Sequence, residues 1–424
     1  MARNTPRFPE DSRTPQQESW PKTTTDFRFF DRNKVTFDAI RKYHEESTRQ
    51  TSPGVYLVIS HRFDISHFTK PAIEEPERLD DGKGRGVQLH GCLMVDAASC
   101  IVQGTVAAQL LRSKTAPMKE SRTRAVDLCR ENCERAGRPP AGSQWIHMWD
   151  RGGEDFETLC HVIQNQCDWL IRAGDLDRTV QQGSDKLTMQ QAVSNATVLG
   201  SCDRHLRARQ GVPARVATLQ IRSIRVTLPK PKGNNDFVKS CGIDSIAMNV
   251  VVVEELQAQK GFAPVHWILL TSLPVETFND AWAVLEHYEK RWLTDEYHRV
   301  LKEAGYFAKY HWQTAAQLEP LIGLISLIGG HLLCLKTIWQ HEPEAKAADH
   351  VLDLWLTALT LLKPKLAKPD LTVYEFFRGL AMCGGFMGRK NDGDPGWQTV
   401  WSGYERLHEQ IEAIMLVKTN RFRP

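Results

Sequence analysis

The run YEKRWLTDEYHRVLK, Tyr288 to Lys302, constrains this chain more than any other stretch. Tyr288, Arg291, Asp295, Arg299 and Lys302 follow one another at steps of three and four. That spacing predicts one helix with all five side chains on one face. A ring hydroxyl, three cations and a carboxylate on one stripe exclude a core-facing role. Two readings remain. The stripe is a solvated, salt-bridged face, or it is a carboxylate that holds a metal beside cations that hold phosphates. Glu296 lies about 100° further round the helix, so Asp295 faces the site and Glu296 faces elsewhere.

Net charge decides little, because 54 Lys and Arg stand against 51 acids. Any anionic partner must therefore be met by an uneven distribution of these charges. The 10 cysteines are scattered without a CxxC pair, and Cys129 with Cys133 lacks a downstream partner pair at zinc spacing. They read as reduced cytoplasmic thiols. No run of about 18 consecutive apolar residues occurs, so no membrane span is expected.

Taken in order, residues 1–25 are rich in Pro, Thr, Arg and Gln and read as a disordered tail. An amphipathic helix is expected from Thr36 to Thr48, with Phe37, Ile40 and Tyr43 or His44 inward. VYLVI (Val55–Ile59), Leu89–Asp96 and Ile101–Leu111 read as strands, the last two paired antiparallel. Thr115–Gln144 reads as a helix with its repeated Arg and Glu facing solvent, followed by a Pro-Pro-Ala-Gly loop. A strand ending at Asp150, a helix and the strand Asp168–Gly174 then form a crossover unit, so part of the sheet is parallel. Arg178–Arg215 is weakly patterned. Ala217–Pro229, IAMNVVVVEEL and HWILLTS read as further strands, and Ala315–Trp339 as a core helix.

The Tyr288–Lys302 run resembles the Y-R-E-K signature of bacterial cut-and-paste transposases of the insertion-sequence-four family, the Tn-five-like group. The matches are Tyr288, Arg291, Asp295 and Lys302, with Trp292, Glu296, Tyr297 and His298 as fitting neighbours. DRGGEDFE from Asp150, GKGRGVQLHGCLMV and the tail FRGLAMCGGFMGRKNDGDPGWQTVWSGYERLHEQIEAIM are similar to further family segments. The resemblance covers about residues 26 to 417.

The resemblance implies an α/β fold: a ribonuclease H-like mixed sheet core at 26–310, with an inserted β-subdomain at about 200–265. A C-terminal helical, dimerising region would follow at 311–424. It implies a DDE-type transposase of the bacterial cytoplasm that cuts and joins DNA using Mg²⁺ or Mn²⁺. Its partners would be double-stranded DNA, as transposon ends and target, and a second copy of the chain. Asp150 and Asp295 would hold metal, and His61 stands where the family has its first Asp. Arg172, Trp267, Tyr288, Arg291, Arg299 and Lys302 would handle DNA, Trp267 by stacking on a flipped base.

The chain departs from the family at His61 and at Asp295, where Glu is usual. Set against the resemblance, the family's usual upstream end-binding domain, a helical module of about 50 residues, is expected to be missing. Imidazole is softer than carboxylate and suits Mg²⁺ poorly. The alternative expectation is a catalytically dead relative that binds DNA, or pairs with an intact transposase and inhibits it.

Overall fold

The computed structural model describes residues 35–66, 86–112, 118–151, 154–206, 213–233, 236–257, 263–304 and 315–418. The expected disordered tail, and the glycine-rich segment before Gly86, lie outside the described residues.

The ribonuclease H-like core is built from β1 (Gly54–Ser66), β2 (Gly86–Asp96), β3 (Val102–Arg112), β4 (Ser143–Trp149) and β5 (Asp168–Arg172). Their spatial order is β3-β2-β1-β4-β5. β2 pairs antiparallel with β1 and with β3, whereas β4 pairs parallel with β1 and with β5. Helix α1 (Phe37–Thr48) precedes the sheet, α2 (Met118–Ala136) joins β3 to β4, and α3 (Phe156–Gln164) joins β4 to β5. α2 stops short of its expected end because Gly137 turns the chain at φ 76° and Pro139 and Pro140 cannot continue a helix.

The weakly patterned stretch after β5 holds β6 (Thr179–Gln182), β7 (Asp185–Thr188), α4 (Met189–Ser194) and β8 (Thr197–Leu206). β9 (Arg215–Pro229), α5 (Asp236–Ser240), β10 (Ser245–Leu256) and β11 (His266–Thr271) follow. These strands continue the core sheet, because β11 pairs antiparallel with β5. The insertion thus shares one hydrogen-bonded ladder with the core.

Alternation along the strands gives the sheet two apolar faces. Leu57, Ile59, Phe63, Ile146, Met148 and Leu170 face one core, shared with the late helices. Tyr56, Val58, Trp145, Trp149 and Trp169 face the other, under α3. The late helices are α6 (Phe278–Glu289), α7 (Trp292–Glu303), α8 (Ala315–His341), α9 (Ala347–His350), α10 (Asp353–Leu362), α11 (Val373–Cys383) and α12 (Trp397–Lys418).

Several expectations are corrected. The first helix turns Arg41 and Glu45 inward beside Phe37, while Tyr43 is 82% exposed. Arg41 can be buried because its guanidinium pairs with Glu45 and donates to the hydroxyl of Ser326 on α8.

Tyr288–Lys302 is not one helix. The N–H groups of Lys290 and Arg291 bond three residues back, to His287 and Tyr288, and those of Leu293 and Thr294 bond to Lys290 and Arg291. These tight turns end α6, restart α7 and break the single stripe. Tyr288 lies on the α6 side and is only 4% exposed, a core residue with a polar tip.

Helix α8 takes its expected place in the core. Its segment Leu318–His341, with mean hydropathy 1.9, is long and apolar enough to cross a membrane. Two thirds of that apolar window is buried inside the protein, where α8 packs on α1, β3 and α7. The composition is that of a core helix.

Candidate nucleic-acid interface and metal position

β1 and β4 run side by side, with Ile59 beside Met148. His61 and Asp150 each stand two residues further along. The short strand expected from VYLVI in fact continues to Ser66, so His61 lies mid-strand, opposite Gly91 of β2. There it points into the core shared with α7.

His61 is buried, and its Nδ1 lies 3.2 Å from Nε2 of His298 on α7. The ring meets the rings of Tyr297 and His298 edge-on, each at 5.2 Å between centroids. Its Nε2 has no hydrogen-bond partner among the described residues. Burial holds the His61 imidazole well below its ordinary pKa, and the nearby charges of His298, Arg41 and His90 push the same way. His298 is lowered to about 4 by burial, then by Lys302 and Arg291. At neutral pH both rings are therefore uncharged, one donating to the other.

Asp150 follows the end of β4 and is half exposed. The Tyr288 hydroxyl donates to its Oδ1 at 3.3 Å, and Arg291 Nη2 lies 3.9 Å from its Oδ2. The phenol pKa of Tyr288 is raised by burial and then by the charge of Asp150, against the pull of Arg291 and Arg172. The Trp267 ring meets the Tyr288 ring edge-on at 5.5 Å. The fold thus brings Asp150, Arg172, Trp267, Tyr288 and Arg291 to one place, although they come from β4, β5, β11 and the α6–α7 turn.

Lys302 Nζ lies 6.0 Å above the Phe63 ring, next to the histidine pair. Asp295 is exposed in the first turn of α7. Arg299 is drawn to the other side of α7, where its Nη2 lies 2.9 Å from Oε2 of the buried Glu296. The sequence separates Asp295 from Glu296 correctly. It carries no signal for the partners that bury Glu296, Lys336 and Trp397, which are 40 and 101 residues away.

A two-metal magnesium centre needs several hard oxygen donors converging on one point. Here one donor position is an uncharged imidazole engaged with another imidazole, and Asp150 is engaged with Tyr288 and Arg291. Among the described residues, no group of three His, Cys, Asp or Glu side chains is placed to hold a metal ion. The residues present do not fit such a centre.

The helical tail has its own constraint. A Cβ on Gly384 would overlap the carbonyl oxygen of Thr399, and one on Gly403 would overlap that of Leu380. Glycine at both positions lets α11 and α12 cross backbone to backbone.

Among solved structures, the chain has a low-level likeness to one titled "Cryo-EM structure of piggyBac transposase synaptic complex with hairpin DNA (SNHP)". The two are 10% identical with a TM-score of 0.33, over 76% of this chain. This chain spans 55% of the length of that one. A family model matches the C-terminal helices more directly. Residues 335–421 match the family described as "Transposase Tn5 dimerisation domain", so this segment is similar to a transposase domain.

Proposed function

We propose that this chain is a DNA-binding protein of the bacterial transposase kind that has lost efficient metal-dependent cleavage. It grips double-stranded transposon-end DNA through the Arg172, Trp267, Arg291 and Lys302 surface, with the buried Tyr288 supporting Trp267 and Asp150 from beneath, and pairs through residues 335–421 with a second copy or with an intact transposase. Cations on one surface supply the sequence-independent attraction to phosphate, and the partly exposed Trp267 offers a stacking face. The observation that carries this reading is the His61–His298 contact of 3.2 Å, which puts a neutral, buried imidazole where the family resemblance requires an acid.

A second reading is a working DDE transposase using Mg²⁺ or Mn²⁺ at Asp150 and Asp295. It is favoured by the exposure of both carboxylates.

The deciding experiment is strand cleavage of a duplex carrying the gene's own flanking repeats, in Mg²⁺ and then Mn²⁺. The chain is run beside a His61→Asp, Asp295→Glu double variant, with DNA binding measured in parallel. Binding without cleavage by the native chain is expected. Cleavage by the native chain would favour the second reading, and absence of DNA binding would overturn both.

A further inference from the structure

Glu296 sits on α7 one residue after Asp295, about 100° further round, and faces inward, 4% exposed. Its two carboxylate oxygens serve different parts of the molecule. Oε1 accepts from Lys336 Nζ of α8 at 2.6 Å and from Trp397 Nε1, the first residue of α12, at 2.9 Å. Oε2 holds Arg299 of its own helix. Lys336 also lies over the Trp397 ring, 4.8 Å from its centroid.

One turn further along both helices, Trp401 Nε1 donates to the Val300 carbonyl at 2.8 Å. The two indoles are four residues apart on α12, and their acceptors are four apart on α7. They form two rungs between the helices, one turn apart. Lys336, Trp397 and Trp401 all belong to the segment that matches a dimerisation domain.

Burial alone would raise the Glu296 pKa. The hydrogen bond and charge of Lys336, with Trp397 and Arg299, outweigh it and hold the carboxyl below its ordinary range. The carboxylate is therefore ionised and fully engaged.

We infer that Glu296 is a positioning residue that joins the C-terminal region to the DNA-facing side of α7: it sets the seat of α7 from one oxygen and holds Arg299 with the other. The inference rests on the DNA-binding reading for its consequence, but not for its geometry. A shift of the C-terminal region, as on pairing with a second chain, moves Trp397 and Lys336. That redistributes the charge on Glu296 and changes how firmly Arg299 is held back from phosphate.

The test uses the full chain, labelled with ¹³C-histidine, and a fluorescent duplex carrying the flanking repeats. Trp397→Phe keeps an aromatic ring at the position but removes the N–H donor together with the second ring of the indole. It is expected to shift the His298 ring resonances, two residues from Trp397's acceptor on α7, and to change the DNA dissociation constant by about tenfold, the scale of one charge-assisted hydrogen bond. In an Arg299→Ala background the same substitution should have less than half that effect on DNA binding.

Glu296→Gln, which keeps an acceptor for Trp397 but loses the charge, should free Arg299 and steepen the salt dependence of binding. It also serves if Trp397→Phe fails to fold. Unmoved His298 resonances in whichever of these two variants folds would overturn the joint. So would equal effects of Trp397→Phe with and without Arg299. If the unmodified chain binds no DNA, the functional reading fails, and the resonances alone decide the joint.

Discussion

His61 on β1 and His298 on α7 form a buried, uncharged imidazole pair, 3.2 Å between Nδ1 and Nε2. The contact ties the central strand of the core sheet to the helix that carries Asp295 and Lys302. It replaces electrostatic attraction for a cation with a neutral hydrogen bond, and that substitution shapes what the centre can do.

His61→Asp should reverse the pair's electrostatics. A carboxylate beside His298 favours the charged imidazole, so the His298 pKa should rise from about 4. Titration of the His298 ring resonances would show it. A His298 that stays neutral down to the same pH in the variant would mean that the two side chains do not meet.

Gly91 gives the pair its room. A Cβ there would lie 2.8 Å from His61 Nε2 and 3.3 Å from the Ala107 carbonyl oxygen. Gly91→Ala should cost about 1–3 kcal/mol, as overpacking usually does, because backbone on one side and a packed ring on the other cannot both move away. Urea denaturation would measure it, and an unchanged midpoint would contradict the packing.

His147 should give stability a pH dependence. Burial lowers its pKa to about 4, while the unfolded chain has the ordinary value of about 6.5. The unfolded state therefore takes up the proton first as pH falls. The contribution is complete above about 6.5 and is lost progressively as pH falls towards 4, by roughly 2 kcal/mol at pH 5. His147→Leu should lose less stability between pH 7 and pH 5 than the native chain. Equal losses would show that this ring does not set the slope.

Gly403→Ala should open the α11–α12 crossing, because its methyl group meets a backbone carbonyl with no freedom to turn aside. A loss of about 3 kcal/mol is expected. Weakened self-association should accompany it in sedimentation experiments. Full stability and association in the variant would place the crossing elsewhere.

Arg41 is buried and paired with Glu45. Arg41→Leu leaves that buried carboxylate with only Arg49, whose Nη2 lies 3.5 Å from its Oε2, and should cost about 3 kcal/mol, the low end for a broken buried pair. The double variant with Glu45→Leu should recover part of this, since removing both charges removes the desolvation cost as well. Strictly additive losses in the double-mutant cycle would show that the two side chains are uncoupled.

The local pattern of this chain carries much of its fold. The continuous apolar run VYLVI and the period-two alternation in Ala217–Pro229 place strands, because both patterns are local properties of the sequence. The strand, helix and strand after Trp145 imply a parallel pair, because a crossover of that length returns the chain in the same direction. That Asp150, Tyr288 and Arg291 share a site is what the resemblance of DRGGEDFE and of the Tyr288–Lys302 run to one family implies.

What only the tertiary structure decides is which way the polar groups turn. A histidine in an apolar strand reads the same whether it faces a metal or another histidine, until α7 brings His298 to it. Arg41 looks like a surface residue until Glu45 and Ser326 meet it inside. The α6–α7 break depends on tight turns at Lys290 and on that lysine's contact with the Ala97 carbonyl in the β2–β3 turn. Glu296 owes its burial to Lys336 and Trp397, which reach it only when the C-terminal helices pack. Sequence alone determines where apolar surface must be buried. The partners that make a buried charge affordable come from distant parts of the chain, and only packing brings them together.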